Sequence, residues 1–163
     1  MKKAIIVTGS VGSGKTIIAK ELAKKINYKF IDLNGLIKQN KLQGKYIKKL
    51  DTYEVDINKL NKFLDKLIKE SKENLIIDSH MSHYLRPETV GLCVVCKCEL
   101  KELKRRLEAR GYSKEKIRIN LDAEIFDVCL VEATERKHHI LIVDTTKESA
   151  DKIVNRIIKK IKA

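Results

Sequence analysis

Residues 5–16 read Ile5-Ile6-Val7-Thr8-Gly9-Ser10-Val11-Gly12-Ser13-Gly14-Lys15-Thr16, "IIVTGSVGSGKT". Just upstream, "KAIIVT" at 3–8 is a β-branched run without polar alternation, which suits a strand buried on both faces. Downstream, Ile18, Leu22 and Ile26 recur at every fourth position and predict a helix starting at Lys15. Three glycines in the six residues from Gly9 to Gly14 favour neither element. The order is therefore strand, bare loop, helix. A loop without side chains can curl until successive N–H groups converge at the positive end of the helix, and that makes a cradle for an anion.

Working outward, four further apolar runs read as strands: "YKFIDL" (28–33), "NLIIDS" (74–79), "GLCVVCKC" (91–98) and "HILIVD" (139–144). Helical spacing lies between them. Asp56 caps a helix carrying Leu60, Leu64 and Leu67, and further helices are predicted at about 99–110, 114–136 and 148–162. In the 114–136 segment Ile117, Leu121, Ile125 and Val128 share one face. The polar, lysine-rich stretch from Asn34 to Tyr53 has weak periodicity and predicts short mobile helices. Strands alternating with helices predict an α/β fold: a three-layer, five-stranded parallel sheet with helices on both faces, in one domain spanning 1–163.

Composition narrows the function classes. No apolar stretch reaches the roughly 18 to 20 residues of a membrane span, and "MKKAIIVTGS" lacks the features of a secretory leader, so a cytoplasmic protein with no membrane contact is expected. Its four cysteines are then expected to stay reduced. Cys93, Cys96 and Cys98 invite a metal reading, against which stands their place on a buried strand with no second ligand cluster. The net charge of +13 would attract polyanions such as nucleotides or RNA. The lysines, however, are spread over nearly every helix, and in the sequence the aromatics are not interleaved with them as a stacking platform requires.

The glycines then acquire a purpose. Gly9, Gly14, Lys15 and Thr16 fit G-x-x-x-x-G-K-[ST] between a strand and a helix, the context that gives this phosphate-binding loop its specificity. Lys15 would reach the β- and γ-phosphates of a bound ATP, and the Thr16 hydroxyl is placed for Mg²⁺. Asp78, at the end of a buried strand, is the candidate second metal-side group; the alternative is a strand-end turn aspartate. His80 and His83 follow in "DSHMSHYLRP", where a solvated loop histidine is the plain alternative to a functional one. Arg106 and Arg110 lie four apart near a helix end, where they serve either a transferring phosphate or the helix dipole.

Together the phosphate loop, "IIDSH", "RLEARGYSKEKIRINLDAEIFDVCLVEATE" and "VDTTK" resemble the adenylate kinase isoenzyme six family, small nucleotide kinases and ATPases that include the coilin-interacting nuclear ATPase protein. The chain looks like an archaeal-type member. The resemblance implies an adenylate-kinase-like core with a monophosphate-binding insert at about 32–55 and a short lid at about 109–119. It implies ATP contacts at Gly12, Gly14, Lys15, Thr16 and Ile17, with Arg110 in the lid and Lys147 edging the adenine. Asp78 and His80 match the D-x-H signature linked to ATP hydrolysis. Such proteins pass phosphate from ATP to AMP and related monophosphates, hydrolyse ATP, and assist late small-ribosomal-subunit maturation by binding a platform ribosomal protein, which implies contact with pre-ribosomal RNA. Relatives carry Gly-Asp-Leu-x-Arg where this chain reads Asn34-Gly35-Leu36-Ile37-Lys38, so Lys38 stands in for an arginine, without its bidentate fork, and Arg86 is the candidate to compensate. Two other readings stay open here: an ATP-switched assembly factor with little kinase activity, and a kinase for another small metabolite.

Overall fold

The computed structural model describes residues 4–163. Lys3, the first residue of the expected strand 3–8, lies outside them. In chain order the elements are β1 (Ala4–Gly9), α1 (Lys15–Ile26), β2 (Lys29–Asp32), α2 (Leu33–Gln39), β3 (Gln43–Ile47), β4 (Thr52–Val55), α3 (Ile57–Glu70) and β5 (Leu75–Asp78). After two short 3₁₀ turns come β6 (Val90–Lys97), α4 (Leu100–Ala109), α5 (Lys114–Ile125), α6 (Val128–Glu135), β7 (Ile140–Asp144) and α7 (Ala150–Lys162).

Five strands form one parallel sheet in the order β2-β5-β1-β6-β7. Alternate residues of each strand feed two different cores, because side chains switch faces with a period of two. Ala4 and Ile6 join Leu60, Leu64 and Ile68 of α3 on one face, while Ile5 and Val7 join Ile18 and Leu22 of α1 and Ile153 and Ile157 of α7 on the other. All six residues of β1 are buried, which explains its unbroken β-branched run. Cys93 and Cys96 fall in opposite cores, and burial pushes both thiols up to about 12. Asp56 caps α3 as expected, accepting from the N–H groups of Asn58 and Lys59. No helix among the described residues is long and apolar enough to cross a membrane.

Two stretches depart from the expectation. In place of short mobile helices, the insert holds one helix, α2, followed by an antiparallel ribbon of β3 and β4 joined through a 3₁₀ turn at Lys48–Leu50. The strands "QGKYI" and "TYEV" bury almost nothing, so they carry none of the apolar alternation by which a strand is read. The expected helix 114–136 is two helices, broken at Asp127, which adopts a left-handed φ of 51°. Lys97, at the end of β6, pairs with both Glu124 and Asp127 and fixes the break. The expected apolar face ends there too: Ile117 is buried, but Ile125 and Val128 are exposed.

Candidate functional site

The loop after β1 sits at the carboxyl edge of the sheet, where open α/β sheets bind ligands. Gly9 has a φ of 148° and lies so close to β6 that an added Cβ would come 2.6 Å from the Cys96 carbonyl oxygen. Gly12 and Gly14 take φ of 86° and 87°, which turns the loop into the first turn of α1. Neighbours brace the curl. The Arg106 guanidinium donates to the Gly12 carbonyl at 3.1 Å, and the Thr145 hydroxyl donates to the Ser13 carbonyl at 2.6 Å. Arg106 is itself held by Glu102, whose carboxyl Arg105 and Arg106 together keep down at about 2.

Two cavities meet at this loop. The first, of about 490 Å³, runs along Gly12, Gly14, Lys15, Thr16 and Ile17 and is closed by Arg105, Arg106 and Arg110 with Thr145 and Glu148. The second, of about 390 Å³, is walled by Asp32, Asn34, Thr52, Asp78, Ser79 and His80 together with Tyr112, Lys116 and Asn120 of the α4–α5 side. Lys15, Thr16 and Arg110 line both.

The Thr16 hydroxyl donates to Asp78 Oδ2 at 2.7 Å, which joins the loop to the end of β5. Asp78 Oδ1 is buried and has no hydrogen-bond partner. Burial pushes the Asp78 carboxyl up, opposed by the Thr16 hydrogen bond and by Lys15. Lys15 donates to the Ser10 carbonyl at 3.2 Å, and burial pushes its ammonium below the ordinary lysine value. A hydroxyl and a buried carboxylate oxygen lacking a donor form a hard-oxygen pair, which fits Mg²⁺ shared with phosphate oxygens. Burial pushes the His80 imidazole down to about 4, with Lys15 adding to the effect, so it is neutral at ordinary pH.

The expected residues divide. Gly12, Gly14, Lys15, Thr16, Ile17, Asp78, His80 and Arg110 come together around the two cavities. Arg106, expected to serve a transferring phosphate or the helix dipole, lines the first cavity and not the second, and holds the loop carbonyl. Arg86 pairs with Asp65 of α3 and lines neither cavity. Lys38 borders a separate open groove with Phe30, Gly35 and Gln39. Lys147 is exposed and lies 4.0 Å from Asp144, while its neighbours Thr145 and Glu148 line the first cavity. His83 is no solvated loop residue: it is buried, its Nδ1 2.7 Å from the Thr8 hydroxyl and its Nε2 3.6 Å from Glu132.

Several wall residues went unread in the sequence. Asp32 ends β2 beside Asp78, in direct register with it, and its signal was the same one that marks Asp78, an acid closing an apolar strand. Asn34 accepts from the Ser79 hydroxyl at 2.9 Å. Lys116 and Asn120 sit on a helix whose outward positions look like any solvated face.

The family described as "AAA domain" matches residues 5–127 of the chain. A protein of Methanocaldococcus jannaschii named "Putative adenylate kinase" is 39% identical over 158 residues, covering 97% of this chain and 85% of that protein. A protein of Pyrococcus abyssi with the same name is 38% identical over 160 residues, covering 98% and 84%. Among solved structures, shikimate kinase from Acinetobacter baumannii in complex with shikimate superposes with a TM-score of 0.70 at 16% identity, over 99% of this chain and 93% of that one. The YorR protein of Bacillus subtilis in complex with phosphorylated GDP gives 0.67 at 20% identity, over 98% and 95%. At such identities these two likenesses speak for the fold alone.

Proposed function

Because the chain belongs to the AAA-domain family and is a relative of archaeal proteins that carry the adenylate kinase name, we propose that it is an ATP-dependent nucleoside monophosphate kinase of adenylate kinase type, an archaeal-type member of the isoenzyme six family. One observation carries this reading: Lys15, Thr16 and Arg110 stand on the boundary between two cavities, as groups that serve a phosphoryl moiety passing between two ligands must. ATP occupies the first cavity with its phosphates in the glycine cradle, and AMP occupies the second.

Each residue then has a task. The N–H groups from Gly12 to Thr16 and the Lys15 ammonium hold the β- and γ-phosphates, and Arg110 neutralises charge on the group in transit. Arg106 keeps the loop curled by holding the Gly12 carbonyl. Thr16 Oγ1 and the free Asp78 Oδ1 are the oxygens that would hold Mg²⁺, which when bound neutralises charge across the phosphates. His80, at the edge of the second cavity, can position a water by hydrogen bonding through its neutral imidazole, which supports an accompanying ATPase activity.

A second reading adds an ATP-switched role in late small-ribosomal-subunit maturation, with a platform protein and ribosomal RNA as partners. The net charge of +13 and the exposed lysines of the insert favour it. Four free cysteines are compatible with a cytoplasmic setting for both roles.

A coupled assay should show AMP-dependent ADP production that falls on the order of 10²–10³-fold in kcat for Lys15→Ala, by analogy with removal of one donor to developing charge. ATP hydrolysis that no monophosphate stimulates would defeat the kinase assignment and leave the second reading standing.

A further inference from the structure

The ribbon of β3 and β4 contributes Thr52 to the second cavity, yet most of its surface faces away from that task. Tyr46 and Tyr53 are direct cross-strand partners and therefore project from the same face. Their ring centroids lie 5.0 Å apart, tilted by 52°, and the residues remain 44% and 46% exposed. The Tyr46 hydroxyl donates to Asp51 at 2.6 Å, which fixes that ring by its edge. Paired across the two strands, the rings steady the ribbon themselves, and the half of each that stays exposed offers a flat surface on which another ring can stack.

The charge around the pair indicates what does. Lys41, Lys45, Lys48 and Lys49 are all exposed on the ribbon or its approaches, against Asp51 and Glu54 as the acids. Flat rings flanked by cations suit a polyanion with unpaired π-faces. Aliphatic residues would be the expected display for a lipid or a helical peptide, and a duplex keeps its base faces stacked inside. The linear sequence hid this arrangement, because six residues separate the two tyrosines and only the ribbon's turn brings them together.

We infer that the β3–β4 ribbon is a binding platform for single-stranded nucleic acid, with bases stacking on Tyr46 and Tyr53 and backbone phosphates meeting Lys48 and Lys49 at the ribbon's turn. This deepens the second reading above by giving its RNA contact a place, and it stands apart from the kinase chemistry.

The test is fluorescence anisotropy of a labelled 12-residue oligouridine titrated with the full chain at several salt concentrations. Binding should weaken about tenfold in the double variant Tyr46→Leu/Tyr53→Leu, which keeps apolar bulk but removes the rings, and persist in Tyr46→Phe/Tyr53→Phe. Replacing Lys48 and Lys49 by Ala should flatten the slope of log affinity against log salt by about 1.4, at roughly 0.7 per phosphate contact on a single strand. AMP-dependent kinase activity measured on the same samples separates loss of the platform from loss of the fold or of the kinase function. The proposal is overturned if the oligomer does not bind, if the Leu and Phe variants bind alike, if a duplex of equal length binds as well, or if excess AMP or ATP displaces the strand.

Discussion

The loop after β1 and the ribbon of β3 and β4 both border the second cavity, yet they are held by different means. β1 pairs with a strand on each side, all six of its residues are buried, and the loop is pinned by Arg106 and Thr145 from two other elements. The ribbon's strands pair only with each other, and none of their residues is buried: Ile47 and Val55 are half-buried and the rest exposed. On the proposed reading, the donor site is built on the first kind of backbone and is preformed. The acceptor site is walled in part by the second and opens at small cost, because local opening is easiest where few apolar contacts are broken.

A matched pair of glycine substitutions tests that contrast most sharply. Gly9→Ala places a Cβ 2.6 Å from the Cys96 carbonyl oxygen at a φ of 148°, and neither sheet backbone can yield. Denaturant unfolding should show a loss of about 3 kcal/mol or more, in the range of core strain and overpacking. Gly44→Ala puts its Cβ 3.1 Å from the Glu54 carbonyl on the loose ribbon, and the same measurement should show less than about 1 kcal/mol. Equal losses would remove the distinction between the two regions.

Acid should reach the firm region through His83. Burial, opposed by Glu132, holds its imidazole down at about 4 from an ordinary 6.5. The unfolded chain therefore takes up a proton below pH 6.5 that the folded chain refuses until about pH 4. Stability from this group is whole above pH 6.5 and is lost as pH falls across that window, on the order of 3 kcal/mol. In His83→Asn, which keeps a polar group facing the Thr8 hydroxyl, denaturant midpoints measured across the window should lose that part of their slope. An unchanged slope would place the acid sensitivity elsewhere.

The same contrast decides what could be read from the chain. The phosphate loop was legible because a strand buried on both faces, three glycines and Lys15-Thr16 each have one economical explanation, and those explanations agree. Asp78 was legible for the same reason, as the acid ending "LIID". The ribbon was not: β3 and β4 bury too little to leave a pattern, and Tyr46 meets Tyr53 only after the chain has turned. The break at Asp127 was hidden because its cause, Lys97, lies thirty residues away in the sequence and becomes a neighbour only through the sheet. His83 looked like a loop residue since its burial depends on Thr8 and Glu132, which no local spacing connects.

Functional substitutions should separate the two sides in turn. Arg106→Ala frees the Gly12 carbonyl and should raise KM for ATP about tenfold, worth roughly 1.4 kcal/mol, with KM for AMP unchanged. Lys116→Ala, on the wall of the second cavity, should do the reverse. Steady-state titration of each substrate at saturating levels of the other checks both. If either variant raises both constants equally, the cavities are not independent donor and acceptor sites.

The smallest effect is expected at Lys38, and its smallness is informative. The family resemblance implies that this lysine stands where relatives carry an arginine for the acceptor phosphate, which would make Lys38→Ala costly. In the fold, Lys38 borders a groove with Phe30, Gly35 and Gln39, while Asp32, Asn34 and Thr52 line the second cavity. KM for AMP should therefore change less than about twofold in Lys38→Ala, the range of an exposed charge with no buried partner. A rise of tenfold or more would mean that α2 swings inward when the acceptor binds, and the loose half of the site would then be larger than the ribbon alone.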